Sequence, residues 1–113
     1  MEISKQERSG VCVASVSGRL DAVSVGEFEK QMLALPQDGG FKGIVLSLEG
    51  LEYISSAGLR AILKLAKNSK AAGVALCLCS IRPAVLEVLK ISGFSMILTI
   101  KDTLDEALSA AGA

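Results

Sequence analysis

The chain contains no histidine and no tryptophan. Without imidazole, Ser–His and Cys–His catalysis within the chain is excluded, and the commonest protein metal ligand is missing. Aromatic residues are scarce, three phenylalanines and one tyrosine, although half of all residues are hydrophobic. Any core must therefore be aliphatic. Lys plus Arg equals Asp plus Glu at 12 each, so the formal net charge is zero. Nucleic acid as the main partner would call for a basic excess, and little long-range field is left to steer a charged ligand. No apolar run is long enough to span a bilayer, and Met1-Glu2-Ile3-Ser4-Lys5 is too polar for a targeting segment, so no membrane insertion is expected. The cysteines are only three, Cys12, Cys77 and Cys79. That odd number without a signal peptide points to free thiols in a reducing cytoplasm. Cys77 and Cys79 would point to the same side of a strand, but a metal would need two more ligands and only Cys12 is left. They read as core cysteines, and no metal or cofactor is expected.

What is present fits one domain covering residues 1–113, with no repeats, linkers or low-complexity segments. Residues 2–8 have the spacing of a short edge strand. Ser9-Gly10 is a turn signal, and Val11–Val16 reads as a strand antiparallel to the first. Gly18-Arg19-Leu20-Asp21 reads as a turn into a helix. Ser24 with Glu27 has capping-box spacing, and Val23 with Phe28 could form its hydrophobic staple. Val25, Phe28, Met32 and Leu35 follow at helical spacing, and Pro36 with Gly39-Gly40 should end that helix. Gly43–Leu48 and Val74–Cys79 are nearly continuous apolar runs, as parallel strands covered on both faces are. Between them a helix runs to about Ala72, with Leu59, Ile62, Leu63 and Ala66 as its stripe and Gly73 as an αL cap. Pro83 opens a helix with Val85, Leu86 and Leu89 inward, and Gly93-Phe94 ends it. Met96–Ile100 reads as a last strand. Thr103 and Glu106 repeat the capping-box spacing before a helix striped by Leu104, Ala107, Leu108 and Ala111. The order β-β-α-β-α-β-α-β-α implies an α/β fold: a small mixed sheet of four to five strands, parallel in its centre, packed with about four helices.

Chemistry concentrates in Glu49–Ala61, where a buried strand meets a helix through adjacent serines. If Ser55 is the N-cap, Ile54 and Leu59 occupy the staple positions. If Ser56 were the cap, Ser55 and Arg60 would, and they do not pack that way. Ser55 is therefore the expected cap, and Ser56 the first helical residue with an uncommitted hydroxyl. The small Ala57 and Gly58 would leave the neighbouring surface open to a partner. A phosphate on Ser56 would sit beside free N–H groups at the positive helix end, a setting that tolerates its charge. On spacing alone, though, paired serines before a helix read as caps. Asp21, expected on the same rim, could contact a partner or merely bond its own turn. Arg60, Lys64 and Lys67 lie along one helix face, which could meet an acidic partner but by default is solvated. A hydrolase using Ser56 would need a Lys or carboxylate base in place of the missing histidine, and no such pair is evident.

Gly18-Arg19-Leu20-Asp21, an apolar strand, then Tyr53-Ile54-Ser55-Ser56-Ala57-Gly58-Leu59, and later Pro83…Leu89…Ser92-Gly93-Phe94, occur in an order that resembles the STAS domain, specifically the bacterial anti-sigma-factor antagonists. The resemblance covers essentially the whole chain. It implies a binding module rather than an enzyme. The unphosphorylated form would bind an anti-sigma serine kinase and free a sigma factor. ATP-dependent phosphorylation of one serine would end the contact, and a serine phosphatase would reset it. The position matching that serine is Ser56. Ser55 stands where the family often has Asp; the two are near-equal caps, but the negative charge beside the target hydroxyl is lost. Asp21 matches the family's acidic residue after the first strand pair. The resemblance thus marks Asp21, Ser55, Ser56, Ala57, Gly58 and Arg60 as partner-binding candidates. The alternative it leaves is a STAS subunit of a transport or stress-signalling assembly. The lack of a transmembrane or extended N-terminal region leads one to expect the free-standing antagonist.

Overall fold

A computed structural model describes all residues from Met1 to Ala113. Strands β1 (Glu2–Arg8) and β2 (Val11–Leu20) form an antiparallel hairpin. Its two loop residues, Ser9 and Gly10, both take positive φ, the conformation that matches a two-residue turn to the twist of its strands. Parallel strands β3 (Gly43–Ser47), β5 (Ala75–Cys79) and β6 (Ile100–Lys101) continue the sheet in the order β1-β2-β3-β5-β6. The expected mixed sheet with a parallel centre is present.

Two layers of unequal size cover it. Helices α1 (Val25–Met32), α2 (Leu35–Asp38), α3 (Ser56–Ala72) and α4 (Pro83–Ile91) lie on one face. There Phe28, Met32, Leu59, Ile62, Leu65, Val85 and Leu89 pack against Cys12, Ala14, Val16, Ile44, Leu46 and Leu78 of the strands. The other face carries only α5 (Leu104–Ala110), whose Ala107, with Ala111 just beyond, seals Val11, Val13, Val45, Cys77 and Cys79. Alternate residues of β2 therefore enter different cores, and β3 is buried along its whole length, hence its nearly continuous apolar run, broken only by the buried Ser47. All three thiols are buried and unpaired, and burial raises each above its ordinary pKa.

Several local expectations are corrected. Strand β2 does not end at Val16 but runs on through Gly18-Arg19-Leu20. Its pairing with β3 ends at Ser15, and from Gly18 on it has a partner of its own, β4 (Leu51–Ile54), in parallel register with one shift between Gly18 and Arg19. No strand was expected there, because Leu-Glu-Tyr-Ile is short and only its two ends are buried. The Ser24–Glu27 capping box does not form, and Val23, almost wholly exposed at 95%, staples nothing. Helix α1 stops at Met32 and Pro36 belongs to the new turn α2, since a proline without an N–H fits a first helical turn. Met96–Ile100 is not one strand: a 3-10 turn, Phe94–Met96, precedes the two-residue β6. The Thr103–Glu106 capping box is formed as expected, with both reciprocal bonds present.

Candidate functional site

Strands β2 and β4 deliver the site. Leu20 pairs with Ile54, so the next residues of the two strands, Asp21 and Ser55, leave the sheet at the same end. The Ser55 N–H donates to the Leu20 carbonyl at 2.9 Å, holding the two exits together. One exit becomes the start of α1 and the other the start of α3.

At the α3 start, Ser55 is the N-cap, in extended backbone with ψ 175. Its hydroxyl accepts from the Gly58 N–H at 3.3 Å, satisfying one of the free donors of the first turn. Ile54 and Leu59 are both buried in the larger core, the arrangement a staple requires. Ser56 is the first helical residue and is exposed, and its hydroxyl takes no part in the capping. The cap therefore falls where the staple argument put it. No acidic side chain lies in the first turn to occupy the positive helix end.

Gly58 departs from expectation. It is buried rather than part of an open surface. A Cβ there would come within 2.7 Å of the Leu20 carbonyl oxygen and 2.9 Å of Ile54 Cγ1. The glycine lets the helix start press against the end of β2, so it positions Ser56 without facing a partner. Ala57 is half-buried and Arg60 exposed beside it. Lys64 is not free either: its Nζ meets Glu29 Oε2 of α1 at 3.0 Å.

At the α1 start, Asp21 organises its own turn. Its Oδ1 accepts from the Val23 N–H at 3.0 Å and the Ser24 N–H at 3.2 Å. The Ser24 hydroxyl donates to the Arg19 carbonyl at 2.8 Å and accepts from the Asp21 N–H at 3.0 Å. The Ser24 N–H bond is the main cause holding the Asp21 carboxyl below its ordinary pKa. Partial burial opposes it, and the Val23 N–H, the Ser24 hydroxyl and Arg19 reinforce it. Most of this carboxylate's hydrogen bonding is thus spent inside the chain.

Arg19 and Tyr53, neither among the expected site residues, lie opposite each other in β2 and β4. The Arg19 guanidinium sits 4.2 Å from the centre of the Tyr53 ring, a cation–π stack, and its Nε is 3.6 Å from Asp21 Oδ2. Only the β2–β4 pairing brings them together, and that pairing has no local signature. Ser56 lies outside every surface cleft; the largest, about 460 Å³, is lined by Ser4, Ser15, Ser47 and Arg82 among others. An exposed hydroxyl outside any cleft, with no side chain bonded to it as a base, suits a surface read by another protein better than one that encloses a substrate. No group of three His, Cys, Asp or Glu side chains could hold a metal, and no helix is long and apolar enough to cross a membrane.

Residues 2–107 match the family model of the STAS domain, and the chain belongs to that family. It is 34% identical over 110 residues to BtrV of Bordetella bronchiseptica, named as a candidate anti-sigma factor antagonist, a match covering 97% of this chain and 94% of BtrV. It is 31% identical over 109 residues to the anti-sigma F factor antagonist of Paenibacillus polymyxa, covering 96% and 93%. Among solved structures, an anti-sigma factor antagonist from Mycobacterium paratuberculosis superposes with a TM-score of 0.89 at 24% identity, over 99% of this chain and 94% of the other. The Bacillus cell fate determinant SpoIIAA in its phosphorylated form shares the fold, with a TM-score of 0.73 at 19% identity over 96% and 97%. These names are those of regulatory binding proteins, not enzymes.

Proposed function

We propose that this chain is an anti-sigma-factor antagonist whose partner is an anti-sigma serine kinase. Unphosphorylated, it binds the kinase and so releases a sigma factor. Phosphorylation of Ser56 ends the contact, and a serine phosphatase restores it. On this reading the protein works in the bacterial cytoplasm, where ATP and such a kinase are found.

The observation that carries the reading is the division of labour at the α3 start. Ser55 holds the helix end, so Ser56 can be modified without uncapping it. A phosphate there adds about −1.5 to −2 of charge. It would lie beside unpaired first-turn N–H groups and the positive end of the helix, with no acidic side chain in that turn to repel it. The fold should tolerate it. A partner surface packed over Ser56, Ala57 and Arg60 should not, because the new charge would have to be desolvated at the contact. The names of the relatives, and the phosphorylated state of one structural neighbour, support the same reading.

Incubation with the cognate kinase and ATP should add about 80 Da, the mass of one phosphoryl group, located on Ser56. Labelling that persists undiminished in Ser56→Ala would remove Ser56 from the mechanism.

A further inference from the structure

Strand β1 is an open edge. It pairs with β2 on one side and with nothing on the other. It is seven residues long, and all but Ile3 are exposed. Its register with β2 is unbroken from Glu2 to Arg8, and it carries neither proline nor bulge. Open edges are normally blunted by shortness, bulges, prolines or repelling charge. Here only charge remains, and its signs alternate: Glu2, Lys5, Glu7, Arg8.

That charge pattern fits a second copy of itself. Two β1 strands joined antiparallel about a two-fold axis keep corresponding faces on the same side, so facing residues must have numbers of the same parity. With Ser4 on the axis, Ile3 faces Lys5 and Glu2 faces Gln6, so no ion pair forms across the seam. With Lys5 on the axis the two Lys5 ammoniums face each other, and with Glu7 on the axis the two carboxylates do. With Gln6 on the axis, each Lys5 faces a Glu7, each Ser4 faces an Arg8, and Gln6 faces its own copy. Of these registers only this one sets opposite charges face to face with no like charges directly opposite, and symmetry makes its ion pairs occur twice. Lys5 and Glu7 pair with Ala14 and Cys12 of β2, residues of the larger core. The ion pairs would therefore lie on the helix-bearing face, next to the shallow groove formed by Lys5, Gln6, Glu7, Cys12, Leu35 and Phe41. The half-buried Leu35 and Phe41 could then approach their copies across the seam.

We propose that this chain forms a reversible homodimer through β1, in the register centred on Gln6, giving one continuous sheet across both copies. The occupied edge is not the end of the sheet where Ser56 lies, so the proposal stands or falls independently of the phosphorylation switch.

Sedimentation velocity on the unphosphorylated full chain, up to millimolar concentration, tests it. Wild type should show a concentration-dependent monomer–dimer equilibrium. Lys5→Glu and Glu7→Lys should each weaken dimerisation by about tenfold or more, since each turns two attractive pairs into repulsive ones. The double variant, Lys5→Glu with Glu7→Lys, should restore it by exchanging the signs. Far-ultraviolet circular dichroism confirms that each exposed-edge variant is folded. A wild type that stays monomeric throughout overturns the proposal. So does a dimer indifferent to both single changes, because the copies then meet elsewhere, or a folded double variant that fails to recover.

Discussion

Two helices begin at the same end of the sheet, each with a serine as its N-cap, and the two serines do different work. Ser24 and Ser55 share a φ of −96 but differ in ψ, −13 against 175. An N-cap hydroxyl reaches forward to the first-turn N–H groups only from extended backbone. Ser55 has that geometry and caps. Ser24 is already helical, so its hydroxyl turns back to the Arg19 carbonyl and the Asp21 N–H, and Asp21 serves the turn instead. One start is a knot that spends the Ser24 hydroxyl and one Asp21 carboxylate oxygen on its own turn. The other commits one serine and leaves its neighbour free. A site to be modified without disturbing the fold belongs at the second kind.

The comparison can be strained first at Gly58. Gly58→Ala puts a Cβ against the Leu20 carbonyl and Ile54, both in the packed junction of β2, β4 and α3. The expected cost is about 1–3 kcal/mol, read from the midpoint of urea denaturation. An unchanged midpoint would mean that the helix start is looser than its contacts imply. Next, Ser55→Ala removes the cap and should cost about 1 kcal/mol in the same measurement; a loss as small as that of an ordinary exposed serine would undo the division between the two serines. Asp21→Asn should have a smaller effect with a pH signature. The folded chain holds this carboxyl below its ordinary value of 3.8. Its contribution is therefore fully present above that value and is lost as pH falls through the lower folded one. The wild type should show that extra acid destabilisation, and the Asn variant should lack it. Parallel acid limbs for the two proteins would show that the turn does not favour the charged carboxylate.

The same contrast explains what could be read from the sequence. Strands β3 and β5 were legible because their residues covered on both faces are apolar but for Ser47. Capping boxes were not equally legible. Thr103–Glu106 and Ser24–Glu27 are spelled alike, yet only the first forms. Nothing competes for Thr103, whereas Asp21, three residues upstream, captures Ser24. Ser55 was legible because its staple is local, Ile54 with Leu59. Strand β4, the Arg19–Tyr53 stack and the buried position of Gly58 were not. All three depend on the end of β2 pairing with β4 instead of β3, a pairing across more than thirty residues with no local pattern to announce it. Small residues beside a candidate site, such as Gly58, read equally well as open surface and as close packing until the neighbouring strand is known.

The central claim is that Ser56 is free to carry charge while its surroundings hold the fold. Ser56→Asp, measured for thermal midpoint and for binding to the cognate kinase in the same preparation, tests both halves at once. The midpoint should stay within the range of neutral surface substitutions, about 0.5 kcal/mol, while kinase affinity drops severalfold or more. A large loss of stability, or a stable variant that binds the kinase as wild type does, would contradict the account.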